Sequence, residues 1–582
     1  MAISVDMVKD FANSPAVTCC RFEAGEIISP AHLEDPALFA DLEDSGLLSM
    51  PDNFYTINQV IGATLQKTIS ALTPITAEYV KIAAEPAPAP APPPTPAAVC
   101  ENNIRIFIGE GKNIELFIPA NIQPSISTAA PAPIAPQNAA PKTLRSLTRK
   151  YFTIKNIEFG DKTKISGQTL ILRHPDQLCK EAVAAQKLVV DMRLDIITPD
   201  RYCEYSDTIM DVLPIACKEQ GELGAGITRV LDGVVFIISG IDANGVQIGE
   251  FGSSEGHMDK KIMWGRPGAP DYGEIFIKAH VTIQPGANME RPGPLAAHLA
   301  ADHIMSEIRE ALKNAENTPA HQEDFIQTRR PGKPKILIIK EIMGQGAMHD
   351  NLILPNEPVG TMGGVPNVDL GNLPVVLSPL EVLDGGIHAL TCIGPASKET
   401  SRHYFREPLV AHAMSDPDID LAGIIFIGSP QANADKFYVS RRLGMMIEAM
   451  DADGAIVGTE GFGNNHIDFA SHIEQIGSRG IAVVGMSYSA RQGALVVGNK
   501  HMRHMIDLNK SAEGIENEIL CVNTLTHEDA IRALAMLKAA LSGEPIAPAP
   551  AKWSPDTKAK NITAIESATG KKIPLTNNET AL

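Results

Sequence analysis

The chain has 582 residues, of which 44% are hydrophobic and 20% are charged, and its formal net charge is −19. This length exceeds what one hydrophobic core usually serves, so several domains are expected. An acidic balance argues against nucleic acid or an anionic membrane surface as a partner, because both require a basic footprint. The sequence has no apolar run of about 18 residues, no signal-peptide pattern and no Cys-x-x-Cys or Cys/His metal spacing. We therefore expect a cytoplasmic, multidomain protein without membrane insertion or a metal site.

The first 85 residues are predicted to form a small helical unit. Between Thr56 and Leu72, apolar side chains recur at positions 57, 60, 61, 65, 69 and 72, which is the spacing of one helical face. Residues 86–100 are mostly alanine and proline, a composition that offers little apolar surface to bury and removes backbone donors. Residues 86–100 are therefore predicted to be a linker.

A β-hairpin is predicted beyond this linker. Apolar residues alternate over 104–108 and 114–118, and a glycine-containing turn separates the two runs. We assign residues 101–125 to this hairpin module. Residues 126–142, again rich in alanine and proline, are predicted to be a second linker.

From residue 143 onward the composition is that of a folded α/β body. Apolar and β-branched runs predict strands over 234–242, 273–283 and 335–340. Between the last two strands, residues 294–312 carry apolar side chains on one helical face and begin with proline, which predicts a helix.

Strands and helices alternate in the C-terminal part. The pattern predicts strands over 421–429, 454–458 and 481–487, with helices over 432–452 and 464–476 between them. Such alternation favours a doubly wound α/β domain, in which helices cover both faces of a parallel sheet. Ligands of such domains bind at the carboxyl ends of the strands. A further helix over 526–543, with a threonine cap and a glycine stop, is predicted to close the domain.

Two glycine-rich loops follow predicted strands. The loop GTEGFGNNH, residues 458–466, opens a helix, so the backbone of Gly461 and Gly463 is a candidate for holding a substrate carboxylate. The loop GQGAMHDN, residues 344–351, presents His349 and Asp350 as further substrate-binding candidates. Neither loop has the G-x-G-x-x-G order of a dinucleotide site, and both are also consistent with ordinary connecting loops.

One cysteine stands between an apolar run and a polar turn. In GGIHALTCIGPASKETSRHY, residues 385–404, Cys392 follows Thr391 directly. Three interpretations are open. The thiol can be a small buried hydrophobe, or a nucleophile activated by a histidine such as His388 or His403. It can also attack the adjacent Thr391 carbonyl and so convert the peptide bond into a thioester.

Longer runs carry a resemblance to a known family. The segments CCRFEAGEIISP, IMGQGAMHDNLILP, NVDLGN, SPLEVLDGGIHALTCIGPASKETSRHY and TEGFGNNHIDFASHIEQIG closely resemble the D-proline reductase proproteins. The likeness covers nearly the whole chain except the Ala/Pro linkers. The component B proproteins of the glycine, sarcosine and betaine reductases are similar to this chain to a lesser degree.

The resemblance implies that the chain cleaves itself. In this family the proprotein is cut before a cysteine, which becomes a pyruvoyl group, so the cut is expected between Thr391 and Cys392. The larger chain would then include the α/β body, residues 143–391. The smaller pyruvoyl chain would hold an α/β domain, residues 392–545, and a polar tail, residues 546–582.

The resemblance also implies an oxidoreductase that acts on a C–N bond. The pyruvoyl carbonyl would bind D-proline as an iminium, and reductive ring opening would give 5-aminovalerate. The chain contains no selenocysteine. The nucleophile is therefore expected from a selenocysteine-containing partner subunit, with electrons from a dithiol-dependent redox protein. The two processed chains and the selenoprotein would form a hetero-oligomer.

Several neighbouring residues are candidates for supporting roles. His388, Ser397 and Glu399 are candidates for assisting cleavage or proton transfer. Arg402 is a candidate for a bidentate pair with a substrate carboxylate. Other functions stay open: a glycine, sarcosine or betaine reductase component B-like subunit, a pyruvoyl-dependent decarboxylase, or a non-catalytic assembly paralogue.

Overall fold

The computed structural model of the chain describes residues 3, 5, 7–19, 21–38, 48, 50–81, 103–108, 114–119, 140–247, 254–287, 292–342, 352–353, 355–366, 372–389, 399–430, 432–459, 461, 463–489, 491, 494–495, 497–510, 514, 519–544, 563 and 566–567. The chain divides into two compact units, Met1–Thr128 and Ala129–Leu582. Among the described residues, no helix combines the length and the apolar character that crossing a bilayer requires.

The described part of the first unit contains one short α-helix, two 3₁₀ turns (Pro30–His32 and Pro36–Leu38) and two pairs of antiparallel strands. The elements are α1 (Ile57–Val60), β1 (Thr64–Leu65), β2 (Val80–Lys81), β3 (Asn103–Ile108) and β4 (Ile114–Pro119). Strand β1 pairs with β2, and β3 pairs with β4 with Ile108 opposite Ile114. The pairing of β3 with β4 confirms the predicted hairpin.

The prediction of a helical unit is wrong for the described residues. The helix expected over 56–72 ends after one turn, because Gly62 takes φ = +83° and the chain then enters β1. Farther along, Ile69 exchanges backbone hydrogen bonds of 3.0 Å with Phe22 instead of continuing a helix. Ile57, Val60, Leu65 and Ile69 are nevertheless buried in one core. The apolar spacing correctly predicted which side chains are buried, but long-range contacts determined the backbone conformation.

The second unit begins with a strand-rich region, whose described residues form thirteen strands and three α-helices. The strands are β5 (Lys142–Thr153), β6 (Asn156–Gly160), β7 (Lys164–Ser166), β8 (Thr169–Arg173), β9 (Val189–Ile197), β10 (Tyr205–Ser206), β11 (Ile209–Leu213), β12 (Ala216–Gln220), β13 (Gly226–Asp232), β14 (Val234–Asp242), β15 (Gly256–His257), β16 (Ile275–Ile283) and β17 (His321–Arg329). The helices are α2 (Pro175–Ala184), α3 (Met258–Lys261) and α4 (Pro292–Lys313), and a 3₁₀ turn covers Pro199–Arg201.

Two mixed four-stranded sheets form the centre of this region. Their orders are β11-β14-β16-β9 and β12-β13-β5-β17, and each contains a single parallel pair, β14 with β16 and β13 with β5. Smaller sheets join β6-β8-β7 and β10-β15. Helix α4 buries Ile304, Met305 and Ile308 in the core that both four-stranded sheets share. The strands predicted over 234–242 and 273–283 and the helix predicted over 294–312 are confirmed.

In the described part of the C-terminal region there are nine strands and six α-helices. The strands are β18 (Lys335–Ile342), β19 (Leu352–Ile353), β20 (Val365–Pro366), β21 (Val375–Leu377), β22 (Ile387–His388), β23 (Asp420–Gly428), β24 (Gly454–Thr459), β25 (Ala482–Ser487) and β26 (Met505–Asp507). The helices are α5 (Pro379–Leu383), α6 (Ser401–Phe405), α7 (Pro408–Ser415), α8 (Asn433–Ala449), α9 (Asn465–Gly477) and α10 (His527–Leu541).

A six-stranded sheet organises this region in the order β21-β23-β18-β24-β25-β26. Five strands are parallel, and only the edge strand β21 is antiparallel. Alternate residues of β18 point to opposite faces: Ile338 packs with α5, α7 and α10, whereas Ile339 packs with α8 and α9. The α/β character and the parallel sheet with helices on both faces agree with the prediction.

The expected division of domains at residues 391 and 392 does not follow the fold. Strand β18 precedes that position, yet it lies between β23 and β24, which follow it. A parallel sheet needs crossover connections, so its neighbouring strands need not be close in sequence. Chains cut at residue 391 would therefore share one sheet. The predicted linkers and the tail lie outside the described residues, apart from residues 140–142, 563 and 566–567.

Candidate functional site

The segment that contains the predicted scissile bond is held at both ends. Residues 390–398, which include Thr391, Cys392 and Ser397, lie outside the described residues. Before the segment, the backbone N–H of Ala389 donates to Ser401 Oγ at 2.8 Å. After it, Thr400 caps helix α6 and donates from its hydroxyl to the carbonyl of Gly268 at 2.7 Å. Both ends of the segment are therefore linked by one hydrogen bond and fixed to the fold.

A histidine–aspartate cluster, formed by Asp211, His298 and His388, lies at the first end. Its members come from β11, α4 and β22, and all three are buried. Asp211 Oδ2 lies 3.4 Å from His298 Nε2 and 4.0 Å from His388 Nε2. Ser401 donates to the same carboxylate from its backbone N–H (2.9 Å) and its hydroxyl (2.5 Å). Burial and the neighbouring His298 lower the pKa of His388 to about 4.

A second buried group, the lysine–glutamate cluster, lies at the other end and consists of Lys340, Glu399, His403 and Glu407. Lys340 Nζ lies 2.9 Å from a Glu399 oxygen and 3.1 Å from a Glu407 oxygen. His403 Nε2 lies 3.2 Å from Glu399 and 2.6 Å from Glu407. Burial alone would lower the pKa of His403, but the two carboxylates raise it to about 9. The imidazole is therefore a cation at neutral pH.

The candidates His388 and Glu399 thus belong to different clusters at opposite ends of the segment. Burial opposes ionisation of Glu399, but Lys340 and His403 hold the pKa of its carboxyl well below its usual range. Glu399 is an anion whose oxygens contact two cations. The cleavage and proton-transfer roles of His388, Ser397 and Glu399 stay predictions.

The geometry of Arg402 does not support the expected pairing with a substrate carboxylate. Its guanidinium is buried and binds Glu274 through two hydrogen bonds of 2.6 and 2.7 Å. A third contact of 3.1 Å joins it to Asp271. Glu274 therefore occupies the bidentate position that was expected for a substrate carboxylate, and this pair connects α6 to the turn before β16.

The glycine loop follows β24 at the carboxyl edge of the parallel sheet. Gly461 N–H donates to Thr459 Oγ1 at 3.3 Å, and Gly463 takes φ = +66°, which favours glycine. Thr459 in turn donates to Glu341 Oε1 at 3.1 Å. The loop is thus linked to β18. Substrate binding by Gly461 and Gly463 stays a prediction, and His349 and Asp350 lie outside the described residues.

A further buried polar group occupies the same edge of the sheet. Lys436 Nζ lies 2.5 Å from Asp468 Oδ2, and Ser429 hydrogen-bonds to both side chains. Burial outweighs the attraction of Lys436 and raises the pKa of Asp468 to about 6. These residues were not identified from the sequence.

Sequence reasoning also missed Lys340, Glu341, Asp211 and His298. A signal existed for the first two, because KILIIKEI places a charged pair at the end of an otherwise apolar strand, and such residues are rarely buried without partners. No comparable signal marks Asp211 and His298, which lie on elements far apart in the chain.

Comparison with known proteins assigns the chain to a family whose profile covers both clusters. The profile of the glycine/sarcosine/betaine reductase component B subunits matches residues 145–501. That span is more than half of the chain and contains every member of both clusters. The chain belongs to this component B family. No solved structure matches it.

Relatives within the component B family differ in how much of this chain they cover. The D-proline reductase proprotein of Acetoanaerobium sticklandii is 56% identical over 617 aligned positions, covering 100% of this chain and 98% of the relative. The glycine reductase complex component B subunits alpha and beta of the same organism are 24% identical and cover 59% of this chain. Those of Peptoclostridium acidaminophilum are also 24% identical over 59% of it. Membership in this family implies a reductase role.

Proposed function

We propose that this chain is the self-processing proprotein of a D-proline reductase. The observation that carries the proposal is the 56% identity to a D-proline reductase proprotein over 100% of the chain. The glycine reductase relatives cover 59% of the chain at 24% identity, so they favour the shared fold more than a shared substrate. The full-length match also includes the N-terminal unit and both Ala/Pro stretches.

Processing would begin at the bond between Thr391 and Cys392. The thiol attacks the Thr391 carbonyl to give a thioester, and β-elimination releases a thiocarboxylate on the upstream chain and dehydroalanine on the downstream chain. Tautomerisation and hydrolysis then release ammonia and leave a pyruvoyl end. Hydrolysis of the thiocarboxylate releases sulfide. The products are chains of 391 and 191 residues.

The described residues fit such a segment. Ala389 and Ser401 join its two ends at 2.8 Å, and the Asp211 carboxylate fixes Ser401. Glu399, the first described residue after the segment, is held by Lys340. Self-cleavage requires the reacting carbonyl and thiol to adopt a defined relative orientation, and anchored flanking residues favour such an orientation.

When present, the pyruvoyl group supplies an electrophilic carbonyl for a substrate amine. The contribution we assign to the surrounding residues is to hold a proton: His403 carries one at Nε2, 2.6 Å from Glu407. Lys340 and the two carboxylates fix this imidazolium in a water-poor environment. His403 is thereby a candidate donor for an amine that leaves carbon.

The reducing nucleophile is expected from a partner subunit. The chain has no selenocysteine. Among the described cysteines, burial raises the pKa of Cys179 to about 11 and that of Cys217 to about 12, so both are neutral thiols at physiological pH. The glycine reductase relatives are components of a complex, which supports a multi-subunit assembly. We therefore expect a selenoprotein subunit to deliver the selenolate and a dithiol system to regenerate it.

Intact mass spectrometry of the purified protein tests the processing step. Wild-type protein should give chains of 391 and 191 residues, and the smaller should react with phenylhydrazine. Cys392→Ala should remain one chain, whereas Cys392→Ser, with a weaker nucleophile, should process slowly. Cleavage of the alanine variant at this bond would contradict thiol-driven processing. A free N-terminal cysteine on the smaller chain would contradict the cofactor.

A turnover assay then tests the substrate and the partner. Processed protein with D-proline and dithiothreitol should yield no 5-aminovalerate until a selenoprotein subunit is added. Glycine, sarcosine and betaine serve as matched control substrates. Turnover by the processed chains alone would move the nucleophile onto one of their own cysteines, and turnover of a control substrate in place of D-proline would refute the substrate assignment.

A further inference from the structure

We propose that Asp211, His298 and His388 bind one divalent transition-metal ion of the zinc class. No metal site is predicted from the sequence, because the three residues lie on β11, α4 and β22 and show no ligand spacing. One ligand atom from each lies within 4.8 Å of the others, and all three side chains are buried.

The distances suit a tetrahedral site. Bonds of about 2.0–2.1 Å to a tetrahedral zinc ion separate neighbouring ligand atoms by about 3.3 Å. His298 Nε2 lies 3.4 Å from Asp211 Oδ2, which is close to that edge. His388 Nε2 lies 4.0 Å from the same oxygen, so this ring would move inward on binding.

The orientation of His298 is that of a ligand. Its Nδ1 lies 2.8 Å from the carbonyl of Pro294, which can only accept, so Nδ1 carries the proton. In the neutral ring, Nε2 then presents a lone pair to the Asp211 carboxylate, which is unfavourable unless a proton on Nε2 or a metal ion lies between them. Metal-binding histidines characteristically donate their second N–H to a backbone carbonyl in this way.

His388 supports the same assignment. Its Nε2 makes no hydrogen bond to any residue that the structure describes, although the side chain is only 1% exposed. Buried polar atoms are normally satisfied. A metal ion would satisfy Nε2 of both histidines at once.

The lysine–glutamate cluster provides an internal contrast. Glu399, His403 and Glu407 also lie close enough to hold an ion. There, however, Lys340 Nζ already contacts both carboxylates at 2.9 and 3.1 Å. The Lys340 ammonium therefore already supplies a positive charge to both carboxylates, whereas the carboxylate of Asp211 lies beside two histidines.

The donor set indicates the kind of ion and its setting. Two imidazoles and one carboxylate suit zinc or a similar ion, whereas magnesium and calcium prefer oxygen ligands alone. Three protein ligands leave a fourth position for water or another small ligand. The ion would join three elements at the start of segment 390–398. All three ligands precede residue 391, so the site would remain whole in the larger chain after processing.

Metal analysis of the full-length protein tests the site. Protein expressed with added zinc and purified without chelator should contain about one zinc ion per chain, as measured by inductively coupled plasma mass spectrometry. The Cys392→Ala chain should bind equally, because its ligands are unchanged whatever happens at the scissile bond. His298→Ala and Asp211→Asn should reduce the content to less than about a tenth of an ion. His403→Asn, in the other cluster, should retain it.

A second measurement distinguishes loss of the metal site from misfolding of the variant. Metal-free wild-type protein titrated with Co²⁺ should develop the visible absorption of tetrahedral cobalt, and His298→Gln should lack it while keeping the wild-type circular dichroism. If the wild type contained no zinc and its cobalt titration gave no visible absorption, the site would be overturned. Full metal content in His298→Ala would overturn it as well.

Discussion

Replacing Lys340 with methionine removes the only lysine ammonium of a buried group whose charges balance. At neutral pH, Lys340 and protonated His403 offset the carboxylates of Glu399 and Glu407. Methionine keeps most of the side-chain volume, so the change leaves one uncompensated negative charge in the interior rather than a large cavity.

The magnitude follows from opposing effects. At about 3 Å and an effective dielectric constant of about 20, each ammonium–carboxylate contact amounts to about 5 kcal/mol. Returning the ammonium to water in the unfolded reference offsets several kcal/mol of this attraction. Removing one partner of a buried ion pair typically costs about 3–5 kcal/mol, which is the loss in unfolding free energy that we expect for Lys340→Met.

Urea unfolding followed by far-ultraviolet circular dichroism measures the loss. The Cys392→Ala background gives every sample the same alteration at the predicted cleavage position. A matched double variant, Lys340→Met with Glu407→Gln, restores neutrality and should recover at least about 1 kcal/mol relative to the single variant. A loss below about 1 kcal/mol for Lys340→Met, or a double variant less stable than the single one, would refute the charge-balance argument.

Three other predictions follow from the same structure. After cleavage the two chains should co-elute in native buffer and separate only in denaturant, because β18 of the larger chain lies between two strands of the smaller; spontaneous separation would contradict this. The pKa of His403 is raised to about 9 from about 6.5, so protonated His403 should stabilise the fold at low pH. This contribution to the unfolding free energy should be lost as pH rises from about 6.5 through about 9, and His403→Gln should not show this loss in urea unfolding. Arg402→Leu should lower the unfolding free energy by about 3–5 kcal/mol by stranding Glu274, whereas a raised KM with unchanged stability would restore the substrate role.

Local patterns predicted much of the backbone. The strand expected over 234–242 is present as Val234–Asp242, and the helix expected over 526–543 is present as His527–Leu541 with its Thr526 cap. These elements are marked by neighbouring residues, through apolar runs, periodicity and caps. The same reasoning failed over 56–72, where a glycine and distant backbone partners overrode an apolar spacing typical of a helix.

The sequence alone determined the class of fold, the order of six strands and four helices beyond residue 143, and the position of the Thr391–Cys392 motif, since each depends on residues close together in the chain. Only the tertiary structure decided that β18 lies between β23 and β24 and that Arg402 binds Glu274. It alone brought Asp211, His298 and His388 within reach of one ion. The physical reason is that sheet pairing and buried charge compensation join groups separated by tens to hundreds of residues. Local sequence periodicity does not predict such long-range partners.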